Sequence, residues 1–339
     1  MAATLETVAE LAGVSRATVS RVINHSPKVS TEVRERVQEA IRELGYVPNR
    51  AARTLVTRRT DSIALIIPEP DVFFFADPYQ TRLATEINRA LDGSEIQLVL
   101  VMQGRSPAGR AHERMEDYVT SGHVDGVILV SVHEANPLPK ALINAGVPLV
   151  YGGRPGQSGL AVSSVDVDNV LGARQATEHL AAGGRRLIAT IAGPEDMTAG
   201  QDRLAGYRAV MAETGLPPLV VHGDFTERSG FEAMERLLAR EPRLDAVFAA
   251  SDLMARGALA ALARSGRRAP AAVALVGFDD LGVAQACDPA LTSVRQPIEE
   301  VAGGLVQLLV AQIGGQDAES VGSLTLPTTL TVRDSTDPA

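Results

Sequence analysis

The feature that most constrains this chain is the apolar spacing of residues 4–55, which starts and stops helices several times within a short span. Leu5, Val8, Ala9 and Ala12 recur at i, i+3, i+4 and i+7, one stripe of a helix. Thr4 is placed to cap its start, and Gly13 permits the tight turn that ends it. Ser15 can cap a second helix running to about Asn24. On that helix Val19, Val22 and Ile23 turn one way, while Arg16, Ala17, Ser20, Arg21 and Asn24 turn the other, at about 100° per residue. Ser30 opens a third helix with Val33, Val37, Ile41 and Leu44 as its stripe and Gly45 as its stop. Pro48 halts the chain again, and Asn49 can cap a fourth segment, R-A-A-R-T-L, too short to be a stable helix alone.

Charge separates this segment from the rest. Residues 1–60 carry ten Lys and Arg against six acids, +4 within a chain of −9, which leaves −13 for the remainder. A bare three-helix bundle needs no such asymmetry. A basic head on an acidic body is the electrostatic footprint of DNA binding, and the short polar face of the second helix suits a major groove. Mid-face Arg21 can bond guanine O6 and N7 together, worth about 1–3 kcal/mol of discrimination. Ser15, Thr18, Ser20 and Asn24, with Thr4 and His25 at neighbouring helix ends, suit phosphate contacts that orient without reading sequence. Thr18 serves equally as a helix-packing residue.

Behind the head, strands and helices alternate. Strands are expected at Ile63–Ile67, Gln97–Met102, Gly126–Ser131, Pro148–Tyr151, Leu187–Ala192, Ala246–Ser251 and Val273–Phe278, mostly continuous apolar runs suited to a parallel sheet covered on both faces. Helices are expected at Thr81–Leu91, Val170–Ala182, Leu204–Glu213, Ser229–Arg240 and Leu253–Arg264. The pattern is doubly wound α/β, and 339 residues with 45% hydrophobic content accommodate a small head and a two-lobed body. A single cysteine, Cys287, excludes a disulfide framework within the chain and suits the cytoplasm. No secretory leader is expected, and no apolar run approaches the ~20 residues that span a bilayer.

Ala12–Asn24, reading A-G-V-S-x-x-T-V-S-R-V-I-N, and Tyr46–Leu55, reading Y-V-P-N-x-x-A-x-x-L, resemble the LacI/GalR family of bacterial transcription regulators. Further marks follow in order: A-G-P at Ala192–Pro194, R-x-x-G-Y at Arg203–Tyr207, Ser251-Asp252, V-G-F-D-D at Val276–Asp280, L-T-S-V at Leu291–Val294 and V-R-D-S-T at Val332–Thr336. The resemblance implies an α/β fold: an N-terminal helix-turn-helix head and a two-lobed, doubly wound body resembling periplasmic sugar-binding proteins. The expected boundaries are 1–47 for the head, 48–61 for a hinge helix and linker, and 62–339 for the body. Lobe 1 would take about 62–161 and 293–321, lobe 2 about 162–292 and 322–339, with crossings near Ala161, Thr292 and Val321. In the family, the positions of Arg16 and Ala17 set operator preference. The hinge, here Asn49, Ala52 and Leu55, folds on DNA beside its copy in a second subunit, and the Leu wedges into the minor groove. The expected partners are therefore a palindromic double-stranded operator and a second copy of the chain, with no membrane. The C-terminal leucine-heptad tail of tetrameric relatives is not expected after S-T-D-P-A, so a plain homodimer is.

No cofactor or metal is expected, but a small-molecule effector is, a mono- or disaccharide. Arg203 aligns with the family's sugar contact. Asp279 lies just past a strand end, where open α/β sheets bind ligands; a salt bridge between the two is the structural alternative. Ser251 stands where many relatives carry Asn. Phe74 and Phe75, with Phe73, precede Asp77-Pro78-Tyr79 and would form a stacking wall in a chain with 4% aromatics, the alternative being that one or two of them are core. Glu69, Tyr151 and Arg154 follow strand ends, the last where relatives often carry an acid, and Gln296 follows the L-T-S-V crossing. Gly184-Arg185-Arg186 departs from the family's G-H-R. The body also resembles, at Tyr151–Pro155 (YGGRP) and His123–Gly126 (HVDG), a branch of high-GC Gram-positive bacteria that senses cellobiose and related glucosides. A related branch uses a protein corepressor, which remains an alternative to a sugar. A transport receptor would share the body but would have a leader and no basic head. An enzyme would need a catalytic constellation, and no dinucleotide fingerprint, nucleophile elbow or P-loop is present. His112, His123, His133, His179 and His222 have no spacing partner that implies a metal or a triad, and most are expected to be solvated.

Overall fold

A computed structural model describes residues 3–23, 26–47, 59–103, 110–156, 160–315 and 322–336, and the chain divides into two compact units, Met1–Thr60 and Asp61–Ala339. The first holds α1 (Leu5–Ala12), α2 (Arg16–Ile23) and α3 (Thr31–Leu44). Thr4 and Thr7 cap α1 reciprocally, and Gly13 ends it at φ 63°. Ser30 caps α3, and Gly45 ends it at φ 58°. Val8, Ala9, Ala12, Val19, Val22, Val37 and Ala40 form the core. The expected stripe of α3 is corrected at its end: Leu44 is exposed, and Ala40 turns inward in its place. The cause is position rather than angle: Leu44 is the last residue of the helix, immediately before the Gly45 stop. Asn24, His25, Asn49, Ala52 and Leu55 lie outside the described residues.

The second unit contains two six-stranded sheets. The first is built from β1 (Ser62–Pro70), β2 (Gln97–Gln103), β3 (Gly126–Val130), β4 (Leu149–Gly152), β5 (Ser163–Val167) and β11 (Ser323–Leu326), ordered β11-β5-β4-β3-β1-β2. The second comprises β6 (Ile188–Ala192), β7 (Leu219–His222), β8 (Ala246–Ala249), β9 (Ala274–Asp279), β10 (Thr292–Arg295) and β12 (Thr329–Thr331), ordered β12-β10-β9-β8-β6-β7. All neighbouring strands run parallel except β10 with β12.

Helices cover both faces of each sheet, so side-chain alternation feeds two cores per lobe. On β1, Ile63, Leu65 and Ile67 meet α5 (Pro78–Ala90) and α13 (Ile298–Ile313). Ala64 and Ile66 face Met115 and Leu142 on α6 (Arg110–Tyr118) and α7 (Leu138–Asn144). In the second lobe Phe248, Val276 and Phe278 pack on α8 (Asn169–Ala182) and α9 (Thr198–Thr214). Val247, Ala249 and Leu275 pack on α10 (Glu227–Arg240) and α11 (Asp252–Arg264). Two short helices complete the order, α4 (Asp71–Ala76) and α12 (Val283–Ala286).

The chain leaves one sheet for the other after Val167, Arg295 and Leu326, several residues beyond Ala161, Thr292 and Val321 in each case. The reason is pairing. Ser163–Val167 extends the first sheet beside β4, Thr292–Arg295 extends the second beside β9, and Ser323–Leu326 returns to β5. These polar strands carry no continuous apolar run, and so were not distinguishable by hydrophobicity. The V-R-D-S-T mark has a structural cause: Arg333 donates to Asp280 Oδ1 at 2.6 Å, and Ser335 accepts from Thr292 N and donates to Leu275 O. The C-terminal segment is thereby fastened beneath the second sheet.

Helices α10 and α11 touch backbone to backbone. A Cβ built on Gly257 would lie 2.0 Å from Glu227 O, and one on Gly230 2.2 Å from Met254 O. On α13, by contrast, a Cβ at Gly303 meets nothing within 4 Å. Gly257→Ala is expected to cost about 1–3 kcal/mol through forced separation of the helices. Gly303→Ala should hold or raise stability by about 0.5–1 kcal/mol. Thermal unfolding of the two variants checks the pair: Tm should fall for the first and not for the second.

Candidate functional site

The head presents a small polar surface. Ser15 Oγ accepts from Thr18 N at 3.1 Å and lies 2.9 Å from Thr18 Oγ1, so it caps α2 as expected. Thr18 is half-buried and belongs at once to that cap and to the packing of the helix. Arg16, Ala17 and Arg21 are exposed, and Ser20 is half-buried. Arg16 Nε lies 3.2 Å from Glu6 Oε1, with both side chains mostly in solvent. Such a pair is worth about 0–1 kcal/mol and is readily exchanged for a stronger anion. Thr4 spends its hydroxyl on the cap of α1, where it accepts from Thr7 N.

In the body, the carboxyl ends of both sheets converge on one cleft, as the placement rule for open α/β sheets requires. It has two adjoining chambers. The first, about 110 Å³, is walled by Asp77, Tyr79, Tyr151, Arg154, Asp166, Asn169, Arg203, Ser251, Asp279 and Gln296. The second, about 370 Å³, is walled by Ile67, Phe74, Pro194, Met197, Phe225 and Leu253, with Glu69, His133, Asp224, Glu227 and Arg256 among its charged lining.

Arg203, on α9, is the buried centre of the first chamber. Its Nε donates to Asn169 Oδ1 at 2.8 Å and its Nη1 to Ala250 O at 2.6 Å. The guanidinium lies 3.6 Å from the centroid of Phe278 and 5.8 Å from that of Phe225. Asp279 Oδ1 is 3.7 Å from Nη1, so the salt bridge given above as the structural alternative is formed. Nη2 has no protein partner among the described residues, which leaves one arm of the guanidinium for a ligand. Burial pushes the Asp279 carboxyl up to about 7, against the opposing pull of Arg203 and of the Gln296 amide that donates to it at 2.7 Å. Burial likewise raises Asp77 to about 6, although its Oδ1 accepts from Tyr79 N as the cap of α5. Burial also raises the phenols of Tyr79 and Tyr151, so both stay protonated donors. The chamber therefore offers donors and acceptors close together beside ring faces, the mixture adjacent hydroxyls need.

Backbone strain concentrates here. Ser131 (φ 55°), Phe225 (φ 66°) and Asp279 (φ 116°) are non-glycine residues at positive φ, and all three wall the cleft. Conformations of this kind cost about 1–3 kcal/mol each and persist where surrounding structure enforces them.

Of the effector residues named from sequence, Asp77, Tyr79, Tyr151, Arg154, Arg203, Ser251, Asp279 and Gln296 wall the first chamber, and Glu69 and Phe74 wall the second. Ser251 also caps α11 by accepting from Met254 N at 3.2 Å, which gives the Ser a structural reason independent of any ligand. Phe75 is a correction: its ring is 69% exposed and lines neither chamber. Phe74 and Phe75 do not share one wall on α4, because neighbours on a helix point about 100° apart; the Phe73 side chain lies outside the described residues. Phe225, in the loop after β7, supplies the second aromatic side, and neither periodicity nor spacing marks it. Asp166, Asn169 and Gln80 were also missed, Asp166 because its strand was not apparent and Asn169 because it opens the helix that follows that strand.

His133 is a second correction. It is not a free solvated ring: Nε2 lies 2.6 Å from Glu69 Oε1 and Nδ1 2.8 Å from Asp196 Oδ2. Asp196 follows β6, so this bridge joins the lobes. Arg154 adds bonds to Asp202 at 2.8 and 3.1 Å, and Thr198 Oγ1 donates to Arg154 O at 2.8 Å. These latches hold one side of the cleft closed.

Comparison with known proteins came to the same molecule from another side. The family described as bacterial regulatory proteins, lacI family, matches residues 4–49, and a periplasmic binding protein-like domain matches residues 177–336. The HTH-type transcriptional regulator CelR of Thermobifida fusca is 53% identical over 336 residues, 98% of each chain. The repressor CytR of Escherichia coli K12 is 33% identical over 99% of this chain and 96% of its own. Among solved structures, a CelR–cellobiose complex matches with a TM-score of 0.78 at 50% identity, covering 98% of this chain and 99% of that one. A lac repressor dimer bound to operator and an anti-inducer matches with a TM-score of 0.84 at 28% identity, covering 99% of each.

The latch generates a pH prediction. Hydrogen bonding to Glu69 is the largest cause that raises His133 from 6.5 to about 9, with burial opposing and Asp196 assisting. A folded value above the unfolded one means the stabilisation is complete below pH 6.5, declines above it and is lost once pH passes about 9. Calorimetry of His133→Gln against wild type should show a Tm gap that is widest at pH 6.5 or below and closes by about pH 9. A gap independent of pH would assign the ring a packing role only.

Proposed function

Because this chain belongs to the lacI family of bacterial regulatory proteins, we propose that it is a repressor of sugar-utilisation genes released from its operator by a sugar, cellobiose or a closely related glucoside. It acts in the cytoplasm by binding alone, with no catalytic step. The observation that carries the effector reading is Arg203: a guanidinium buried at the base of the cleft, with no hydrogen bond from Nη2 to any of the described residues, flanked by Asp279, Asp77, two phenols and Phe225. Adjacent sugar hydroxyls are matched by such planar partners, and C–H faces by the rings. The cellobiose bound by the 50% identical relative agrees with this chemistry.

DNA recognition falls to the exposed face of α2. Arg21 reads a guanine, Arg16 and Ala17 set operator preference, and Thr4, Ser15, Thr18, Ser20, Asn24 and His25 hold phosphates. Two copies of the chain pair their segments bearing Asn49, Ala52 and Leu55 on a palindrome, and Leu55 wedges the central step. A change in lobe closure separates those segments and removes the pairing that folded them.

Replacement of Arg203 tests the assignment. Arg203→Lys keeps the buried charge but not the planar fork. Its affinity for cellobiose is expected to fall about ten- to a hundredfold, equivalent to one or two charge-assisted hydrogen bonds. Operator affinity without sugar should be unchanged, measured by fluorescence anisotropy of a labelled operator fragment. Normal release of that variant by cellobiose would remove Arg203 from the site.

A further inference from the structure

The two chambers share a collar of six residues, Asp77, Gln80, Ser131, Met197, Phe225 and Leu253. Their chemistry differs on either side. The first chamber is ringed by Arg203, Asp279, Asp166 and Gln296, whereas Ile67, Phe74, Pro194, Phe225 and Leu253 dominate the walls of the larger second one. A molecule filling both would be polar at one end and would present an apolar face at the other.

Gln80 stands in the collar with an unused polar atom. It projects from α5, is 8% exposed, and its Nε2 donates to Ser131 Oγ. Its Oε1 has no hydrogen-bond partner among the described residues. A buried amide oxygen is a group that folded proteins almost always satisfy, so the unpaired Oε1 marks a place for a donor. Ser131, the partner that fixes the amide, is held at φ 55° immediately after β3. Strained backbone, a buried amide and the meeting point of two unlike chambers coincide.

We propose that Gln80 is a specificity-determining residue that binds a hydroxyl beside the linkage of a two-unit glycoside, one unit in each chamber, and so distinguishes a disaccharide from its monosaccharide. This rests on the sugar-effector reading and sharpens it to effectors of two units joined across the collar. The geometry divides the labour. Arg203 and Asp279 hold the first ring, Phe74 and Phe225 cover the second, and Gln80 responds only when both chambers are filled. A single ring in the first chamber gains nothing from it.

Isothermal titration of the full chain with glucose and with cellobiose tests this, on wild type, Gln80→Leu and Gln80→Met. Wild type is expected to bind cellobiose at least tenfold tighter than glucose. Both variants should lose about tenfold for cellobiose, the worth of one hydrogen bond, and keep wild-type affinity for glucose, so that the ratio collapses. Two variants of similar volume guard against a packing artefact, and because removing the amide takes away the bond to Ser131 together with the unpaired buried oxygen, Tm should change little. Wild-type affinity for cellobiose in both variants, or an equal loss for both sugars, overturns the role of Gln80 while the sugar reading stands. Failure of wild type to bind either sugar overturns both.

Discussion

A guanidinium cannot be taken out of water unless its hydrogen bonds and charge are met inside the protein, and the second lobe is organised around meeting those of Arg203. Asn169 at the start of α8, the carbonyl of Ala250 after β8, and Asp279 at the end of β9 each come from a different element and reach the same group. The ring of Phe278 lies against it. Asp279 in turn is held at φ 116° because its neighbours are fixed: Asp252 accepts from Asp280 N and from Ser293 Oγ, and Gln296 donates to Asp279. Gly277 is glycine because a Cβ there would meet Asp252 Oδ1 at 2.2 Å. One buried cation thus accounts for residues scattered over α8, β8, β9, α11 and β10.

The same arrangement leaves the cleft responsive. Asp279 and Asp77 sit in surroundings that disfavour their charged forms, at about 7 and about 6. A ligand hydroxyl donated to either would stabilise the ionised form. Closure of the lobes is fastened separately, at the rim, by His133 with Asp196 and Arg154 with Asp202. A ligand that bonds to both lobes can favour closure only by its difference in affinity between open and closed states. Arg203 lines the cleft from one lobe and Asp77, Tyr79 and Gln80 line it from the other.

Much of this was legible in the chain, for identifiable reasons. The caps Thr4, Ser15 and Ser30 and the glycine stops of α1 and α3 are local chemistry, and local chemistry reads directly. The buried central strands read as apolar runs because helices cover both their faces. Strands β5, β10 and β11 did not, since Ser, Thr and Asp alternate in them and their pairing is set by distant partners. The family resemblance located Arg203 and Asp279. No pattern revealed the His133 bridge, because Glu69 and Asp196 are more than sixty residues away on other elements. Phe225 and Gln80 were hidden for the same reason: a loop aromatic and a helical amide acquire their roles only when the two sheets face each other. Phe75 shows the converse error, in which residues adjacent in sequence were assumed to share a surface.

The central claim is that this cleft is a sugar site. A thermal-shift titration of the wild-type chain against mono- and disaccharides, phosphorylated sugars and non-sugar metabolites tests it most directly, since a ligand that binds only the folded state raises Tm with concentration. The account predicts a dose-dependent rise with cellobiose or a related glucoside. Silence across the sugars, with a rise from a non-sugar metabolite, would contradict it.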